Sequence, residues 1–370
     1  MVREAEVRAM ERALELAARG RGATFPNPMV GAVVLGAGGR TVGEGFHSRC
    51  GAPHAEVEAL RQAGEAACGA TVVVTLEPCC HTGRTGPCTV ELVRAGVARV
   101  VAAMRDPNPE VSGGGLRMLR EAGVEVESGL LEARAAELNR AYLHYVRTGR
   151  SLVVLKLATT MDGRVAAADG SSRWITSEAS RARVHRMREL ADCVMVGGGT
   201  VARDDPRLTV RLNGYDPAGG PVRLAVAGPG GIPASARMLR GRPRPVVAVP
   251  ATAPPQVVAG LEKAGADVWR LPEEDGTVVL EALLQRTAGE GIGEVLCEGG
   301  PGLATALLRR RLAARGAFFG APGLLGRGGA PALGDLGIAT MEGAVRMRSV
   351  RVSAHGDDAL LEGEFVYRAD

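Results

Sequence analysis

An α/β protein in two domains is the fold this sequence predicts, on three observations. Short apolar runs of strand length alternate with helical patterns, and the alternation restarts after a polar junction at Thr148-Gly149-Arg150-Ser151. At 370 residues, the chain is also long for one hydrophobic core. The first domain is expected over residues 1–148 and the second over residues 149–370.

Val2 to Arg19 reads as a charged amphipathic helix with Met10, Leu14 and Leu16 on its apolar side. Acidic and basic residues interrupt it throughout, so it reads as neither a signal peptide nor a membrane span. Apolar runs at Val30–Leu35, Val72–Leu76 and Val97–Ala103, and the short Val124–Val126, read as strands. Helical patterns at Ala55–Gln62, Thr89–Ala95 and Leu116–Ala122 lie between them, which predicts a mixed or mainly parallel sheet. One helix from Leu131 to about Val146 is expected to close this domain.

Leu152–Leu157 opens the second pattern, and a helix at Glu178–Leu190 leads to a strand at Cys193–Val196. Further strands are expected at Val222–Ala227, Val246–Val249 and Glu294–Cys297, with a helix at Leu303–Arg311. Ser349–Val352 and Leu360–Tyr367 are expected to form a closing antiparallel pair. The Gly/Pro-rich stretches Asn213–Pro221, Gly228–Ser235 and Arg240–Pro245 read as surface loops. No internal repeat is visible.

Hydrophobic residues at 46% and charged residues at 23% are ordinary for a globular protein. A net charge of +4 with only 3% aromatic residues offers neither a basic face nor stacking platforms for nucleic acid. No nucleic-acid or membrane partner is expected. Seven cysteines, an odd number in a long chain, argue against a disulfide framework and for a reducing compartment, the cytoplasm.

The chemistry is concentrated in His54-Ala55-Glu56, Glu77-Pro78-Cys79 and Pro87-Cys88. The His54 imidazole and the Cys79 and Cys88 thiolates make three zinc ligands and leave a fourth tetrahedral position open, as a catalytic zinc requires. Cys80 could close the site, but adjacent residues rarely both reach one metal, so it reads as a bystander. Glu56, two residues from the histidine, is placed to carry protons for a water that zinc activates near neutral pH. This combination is the signature of zinc-dependent deaminases of amino-pyrimidines and purines, where the glutamate is acid and base rather than ligand. His54 is expected to open a helix and Cys79 to follow a strand. A metal there would sit at the sheet's edge, held by two helix starts.

The second half carries no dinucleotide fingerprint. Gly197-Gly198-Gly199-Thr200 after a strand and Glu298-Gly299-Gly300-Pro301-Gly302 before a helix are weak signals for phosphate cradling, and tight turns would explain them equally.

Longer stretches resemble one family. Pro26-Asn27-Pro28-Met29-Val30-Gly31-Ala32-Val33, Gly45-Phe46-His47 and the loop from Glu77 through His81 and Arg84 to Cys88 are similar to the deaminase half of the bifunctional riboflavin-biosynthesis deaminase–reductases. The expanded loop between the two cysteines is specific to that enzyme. Lys156–Arg164, Ser172–Ser177 and Thr200–Arg211 resemble its reductase half. The resemblance implies a cytidine-deaminase-like zinc domain followed by a dihydrofolate-reductase-like domain, with one zinc ion and NADPH as cofactors. The implied reactions are deamination of 2,5-diamino-6-ribosylamino-4(3H)-pyrimidinone 5′-phosphate and reduction of the ribosyl chain of its product. A homo-oligomer formed through the reductase half is also implied.

Carried over by position, Asn27, His47, His81 and Arg84 would contact substrate in the first half. In the second, Ser172, Arg188, Leu208, Arg211 and Glu298 would do so, the two arginines by fork geometry on a phosphate. Thr159, Trp174, Thr200, Asp204 and the run Gly300, Pro301, Gly302, Leu303, Ala304, Thr305 and Ala306 would contact NADPH. Lys156 and Asp162 are candidate secondary contacts. The chain departs from the family where Val-Leu-Asp-Ser becomes Ala225-Val226-Ala227-Gly228 and where Ala-Pro-Lys becomes Ala321-Pro322-Gly323; Ala313-Ala314 replaces a Val-Asp. These losses motivate an alternative, a deaminase whose C-terminal half is a degenerate binding or oligomerisation scaffold.

Overall fold

The computed structural model describes residues 2–81, 86–109, 111–216, 219–243 and 245–367. The chain divides into two compact units, Met1–Gly149 and Arg150–Asp370. No helix among the described residues is long and apolar enough to cross a membrane.

The first unit opens with α1 (Val2–Ala18), then β1 (Gly31–Leu35), β2 (Thr41–Phe46) and α2 (Ala55–Ala63). β3 (Thr71–Val74), α3 (Cys88–Arg94), β4 (Arg99–Ala102), α4 (Gly114–Glu121) and β5 (Glu125–Ser128) follow. The sheet order is β2-β1-β3-β4-β5. β1 runs antiparallel to both β2 and β3, while β3, β4 and β5 are parallel, so the sheet is mixed. One face packs on α2, α3 and α4 through Ala59, Leu92 and Leu116, and the other packs on α1 through Met10 and Ala13. α2 lies hard against β2: a Cβ at Gly45 would fall 2.3 Å from the Ala55 carbonyl oxygen.

The helix expected from Leu131 to Val146 is broken in two, α5 (Glu132–Leu138) and α6 (Arg140–Thr148). Asn139 makes the break because its side chain serves another segment, accepting from the Met29 amide at 2.8 Å and donating to the Met29 carbonyl at 2.9 Å.

The second unit runs β6 (Leu152–Thr160), β7 (Arg164–Ala166), α7 (Glu178–Leu190), β8 (Cys193–Gly197), α8 (Gly198–Asp204) and β9 (Val222–Val226). Next come β10 (Val246–Pro250), α9 (Pro255–Lys263), β11 (Asp267–Leu271), β12 (Glu273–Glu274), β13 (Thr277–Val278) and α10 (Leu280–Gly289). β14 (Glu294–Cys297), α11 (Pro301–Arg309), β15 (Ala313–Ala321), β16 (Ala330–Pro331), β17 (Arg346–His355) and β18 (Asp358–Val366) complete it. The main sheet has the order β11-β10-β9-β8-β14-β6-β15-β18-β17. It is parallel from β11 to β15 and ends in the antiparallel β18 and β17. The carboxyl ends of β6, β8, β9 and β14 therefore meet along one rim, where an open parallel sheet binds ligands. Tight chain reversals there depend on Gly299 and Gly300, both at positive φ.

Candidate functional sites

His54 is the N-cap of α2, Cys88 is the first residue of α3, and Cys79 lies in the loop after β3. Their ligand atoms all lie within 4.8 Å of one another. His54 Nδ1 is 3.1 Å from Cys88 Sγ and 3.5 Å from Cys79 Sγ. Zinc at about 2.0 Å from nitrogen and about 2.3 Å from sulfur spaces tetrahedral ligands roughly 3.5 Å apart, so the donor set fits this ion. The site stands at the sheet's edge beyond the carboxyl end of β3, the middle strand, between the starts of α2 and α3. The Cys80 sulfur turns away, toward Gly114 and the Val111 carbonyl.

Glu56 lies in the first turn of α2 with only 3% of its surface exposed. Burial, with a smaller contribution from the Cys79 charge, pushes its carboxyl up to about 7. The Cys79 thiol is held well below the ordinary range, above all by hydrogen bonding from Cys88. Its sulfur also accepts from the Cys88 amide at 3.3 Å.

These groups open on a cavity of about 410 Å³ that Asn27, His47, His54, Glu56, Cys79 and His81 help line. His47 Nδ1 is 3.1 Å from the Pro53 carbonyl oxygen, and Asn27 Nδ2 is 3.2 Å from His47 Nε2. Burial lowers the His47 pKa, so the ring is neutral near pH 7. Nδ1 then carries the proton and donates to Pro53, while Nε2 accepts from Asn27. That relay fixes the Asn27 amide and leaves its carbonyl oxygen as an acceptor. His81 Nδ1 is buried with no hydrogen-bond partner among the described residues. Arg84 lies outside the described residues.

Sequence reasoning missed the framework behind this cavity. Glu77, two residues before Cys79, is buried and accepts from the amides of Asp106 (3.2 Å), Gly113 (3.0 Å) and Leu116 (3.1 Å). Tyr142 donates to Asp106 at 2.8 Å, and both line the cavity. The signal was present in the adjacency of Glu77 to a ligand, but its partners are loop amides that no side-chain pattern announces. Gly115 completes the framework, since a Cβ there would fall 1.9 Å from the Pro78 carbonyl oxygen. Gly115→Ala is expected to displace the Pro78-Cys79 segment at a cost of about 1–3 kcal/mol. Lower zinc content and a lower melting temperature in the purified variant are the readouts.

In the second unit, a cavity of about 660 Å³ follows the carboxyl rim. Ser172, Thr200, Asp204, Glu298 and Gly300 to Leu303 line it, as do Lys156 and Ala306. Ala304 and Thr305 do not, because a helix shows the cavity one face. Ala304 is packed in the core, and the Thr305 hydroxyl donates to the Pro301 carbonyl at 2.6 Å. Thr159 is not among the lining residues either. Ala227 and Gly228, where the family has polar groups, form part of the wall.

A neighbouring cavity of about 360 Å³ is lined by Trp174, Asp204, Leu208, Arg211 and other arginines, including Arg173, Arg207 and Arg237. Trp174 is 69% exposed and carries the Arg181 guanidinium 4.5 Å over its ring, so it is not a core residue. Arg188 is buried and its fork is already engaged. Nε and Nη2 meet both Glu298 oxygens, Nη2 at 2.9 Å, and Nη1 donates to the Thr209 carbonyl at 2.8 Å. Of the two arginines expected to clamp a phosphate, Arg211 is the one left available, and its backbone amide is held by His185 Nδ1 at 3.2 Å. Lys156 Nζ lies 3.8 Å from Glu298. Burial lowers the lysine pKa against that carboxylate's pull. Burial alone would raise Glu298, but Arg188 and Lys156 outweigh it and hold the carboxylate at about 2. The Asp162 carboxylate accepts from the Gly326 amide at 2.7 Å, tying two loops together.

Comparison with known proteins covers both units. Residues 3–104 match the cytidine and deoxycytidylate deaminase zinc-binding region, and residues 151–361 match the RibD C-terminal domain. The chain is 41% identical over 367 residues to the riboflavin biosynthesis protein RibD of Aquifex aeolicus, covering 98% of this chain and 99% of that one. It is 43% identical over 355 residues to RibD of Mycobacterium tuberculosis, covering 95% of each. Among solved structures, Acinetobacter baumannii RibD superimposes with a TM-score of 0.83 at 38% identity, covering 98% of this chain and 99% of that one. A Thermotoga maritima diaminohydroxyphosphoribosylaminopyrimidine deaminase/5-amino-6-(5-phosphoribosylamino)uracil reductase gives 0.76 at 32% identity, with 98% and 99% covered. The likeness spans both units at nearly full length, and the chain belongs to the riboflavin-biosynthesis RibD family of bifunctional deaminase–reductases.

Proposed function

We propose that residues 1–148 deaminate 2,5-diamino-6-ribosylamino-4(3H)-pyrimidinone 5′-phosphate and that residues 149–370 reduce the ribosyl chain of the resulting 5-amino-6-(5-phosphoribosylamino)uracil to ribityl. The observation that carries the first step is the convergence of His54, Cys79 and Cys88 beside the buried Glu56. Zinc bound there supplies the Lewis acidity that makes water nucleophilic near neutral pH. Glu56 takes a proton from the attacking water, protonates the ring nitrogen and then assists the departure of ammonia. Asn27 and His47 hold the base in their fixed relay, and His81, which lines the same cavity, faces the rest of the substrate. Arg84, from the same loop, completes the expected substrate contacts.

For the second step, the carboxyl rim would hold NADPH, which would supply a hydride for the sugar C1′. Thr200, Asp204, Ser172 and the turn from Gly300 to Leu303 border that rim. Trp174 and Leu208 border the arginine-lined cavity instead, where Arg211 answers the substrate phosphate. Lys156 and Glu298 line the rim cavity and Arg188 the arginine-lined one, so their ion pairs link the two, with Arg188 keeping Glu298 ionised. The deaminase-only alternative loses ground because the family relation covers the second unit as fully as the first. The seven cysteines, an odd number, support a cytoplasmic location. A homo-oligomer formed through the reductase half is supported by the outer strand β17, one edge of which carries no partner strand among the described residues.

The test follows ammonia and NADPH oxidation separately on the diaminopyrimidinone substrate. Ammonia release without NADPH, and NADPH oxidation only after deamination, are expected. Ammonia release with no NADPH oxidation, even on the deaminated intermediate, would restore the scaffold reading of the second unit.

A further inference from the structure

We propose that Arg203 is the residue by which this chain selects a 2′-phosphorylated nicotinamide dinucleotide, NADPH over NADH. This rests on the reductase reading and deepens it, because family membership does not say which side chain here reads the extra phosphate.

The rim cavity contains a backbone-lined stretch fit for a diphosphate. Gly198, Gly199 and Gly300 border it without side chains, and the Thr200 hydroxyl stands 2.6 Å from where a Cβ on Gly300 would lie. Three cations line the cavity among the described residues: Lys156, Arg203 and Arg310. Lys156 is largely covered and committed to Glu298 at 3.8 Å. Arg310 is held between Glu274 and Glu281, the latter at 3.2 Å, so its charge is already answered by two carboxylates. The Arg203 guanidinium is on an exposed residue and has neither an ion pair nor a hydrogen bond among the described residues. It is the uncommitted charge of the site.

Its position suits the task. Arg203 follows Thr200 by three residues on α8, so both project from one helix face, about one turn or 5 Å apart along the axis. In NADPH, one ribose separates the diphosphate from the 2′-phosphate, a step of similar size. The strand end Val226-Ala227-Gly228, which also lines this cavity, offers no carboxylate to hold a ribose 2′-hydroxyl or to repel a phosphate. The lining has two carboxylates: Glu298 is engaged by Arg188, and Asp204, next to Arg203 in sequence, also borders the arginine-lined cavity. A planar guanidinium meets a phosphate with two parallel hydrogen bonds, which a hydroxyl cannot match.

Dissociation constants for NADPH, NADH and the fragment 2′,5′-ADP, measured by calorimetry on the full chain without substrate, test this. The wild type is expected to favour NADPH. Arg203→Gln should weaken NADPH and 2′,5′-ADP by roughly tenfold to a hundredfold while leaving NADH where it was. Arg310→Gln should leave the NADPH-to-NADH ratio unchanged. Equal weakening of both dinucleotides in Arg203→Gln would assign the residue to the diphosphate and overturn the proposal. An unchanged ratio, or a ratio that moves with Arg310→Gln instead, would overturn it as well. A wild type that binds neither dinucleotide would overturn the reductase reading itself, a different result from binding both equally.

Discussion

Glu56→Gln yields a folded, zinc-loaded protein whose ammonia release falls by a factor of about 10² to 10⁴, the usual contribution of a positioned acid–base group. The amide fills the volume of the carboxylate, so the buried start of α2 keeps its packing and His54, the cap of that helix, stays in place. What is lost is the proton. An amide can neither accept it from water nor return it to the ring. Zinc content and melting temperature should therefore match the wild type, while NADPH oxidation on the already deaminated substrate continues. An active variant would remove Glu56 as the proton carrier. A variant that loses zinc would instead make Glu56 part of the metal's support.

The second large effect is expected at Glu298. Glu298→Ala leaves the Arg188 guanidinium and the Lys156 ammonium facing each other in a buried site without their shared carboxylate. Removing one partner from a buried pair costs about 3–5 kcal/mol, because the remaining charge is neither solvated nor paired. In a unit of this size, each kcal/mol shifts the melting temperature by about 2–4 °C, so a clear drop is expected in the second unit's transition. Reduction should be lost with it, while ammonia release persists. The wild type carries the matching pH dependence. The Glu298 carboxylate is depressed from an ordinary 4.5 to about 2 in the fold, so its stabilisation is fully present above pH 4.5. That contribution fades as the pH falls from 4.5 toward 2. Calorimetric scans between pH 6 and pH 2 would show it, and in Glu298→Ala that part of the acid sensitivity disappears.

The zinc site was legible because its chemistry is local. Three soft ligands and a glutamate announce themselves by type, and the strand–loop–helix pattern around them brings their elements to one rim. The central strands were legible for a similar reason, since strands buried on both faces read as continuous apolar runs, as at Val72–Val74 and Val100–Ala102. β2 was not, because Thr41–Phe46 spends two of its six residues on Gly43 and Gly45, whose lack of a side chain lets α2 approach. The roles of Glu77 and Asn139 were hidden because their partners are backbone groups far along the chain. The engagement of Arg188 with Glu298 was hidden because it joins a helix and a strand end more than a hundred residues apart. α9 and α10 were passed over between the Gly/Pro-rich loops and β14.

The place of β6 has a consequence for how the protein is made. This strand is the first of its unit to leave the ribosome, yet its neighbours on both sides, β14 and β15, are among the last. The first unit has every strand of its sheet by Ser128 and its last helix by Thr148. It can close while translation continues. The second waits with a nine-residue strand bare along both edges until the chain has passed Cys297 and along one edge until Ala321, and such edges recruit other chains. A premature stop before Glu294 would thus produce a finished N-terminal unit carrying a sticky tail, and its fate would be decided by chaperones and proteases rather than by its own stability.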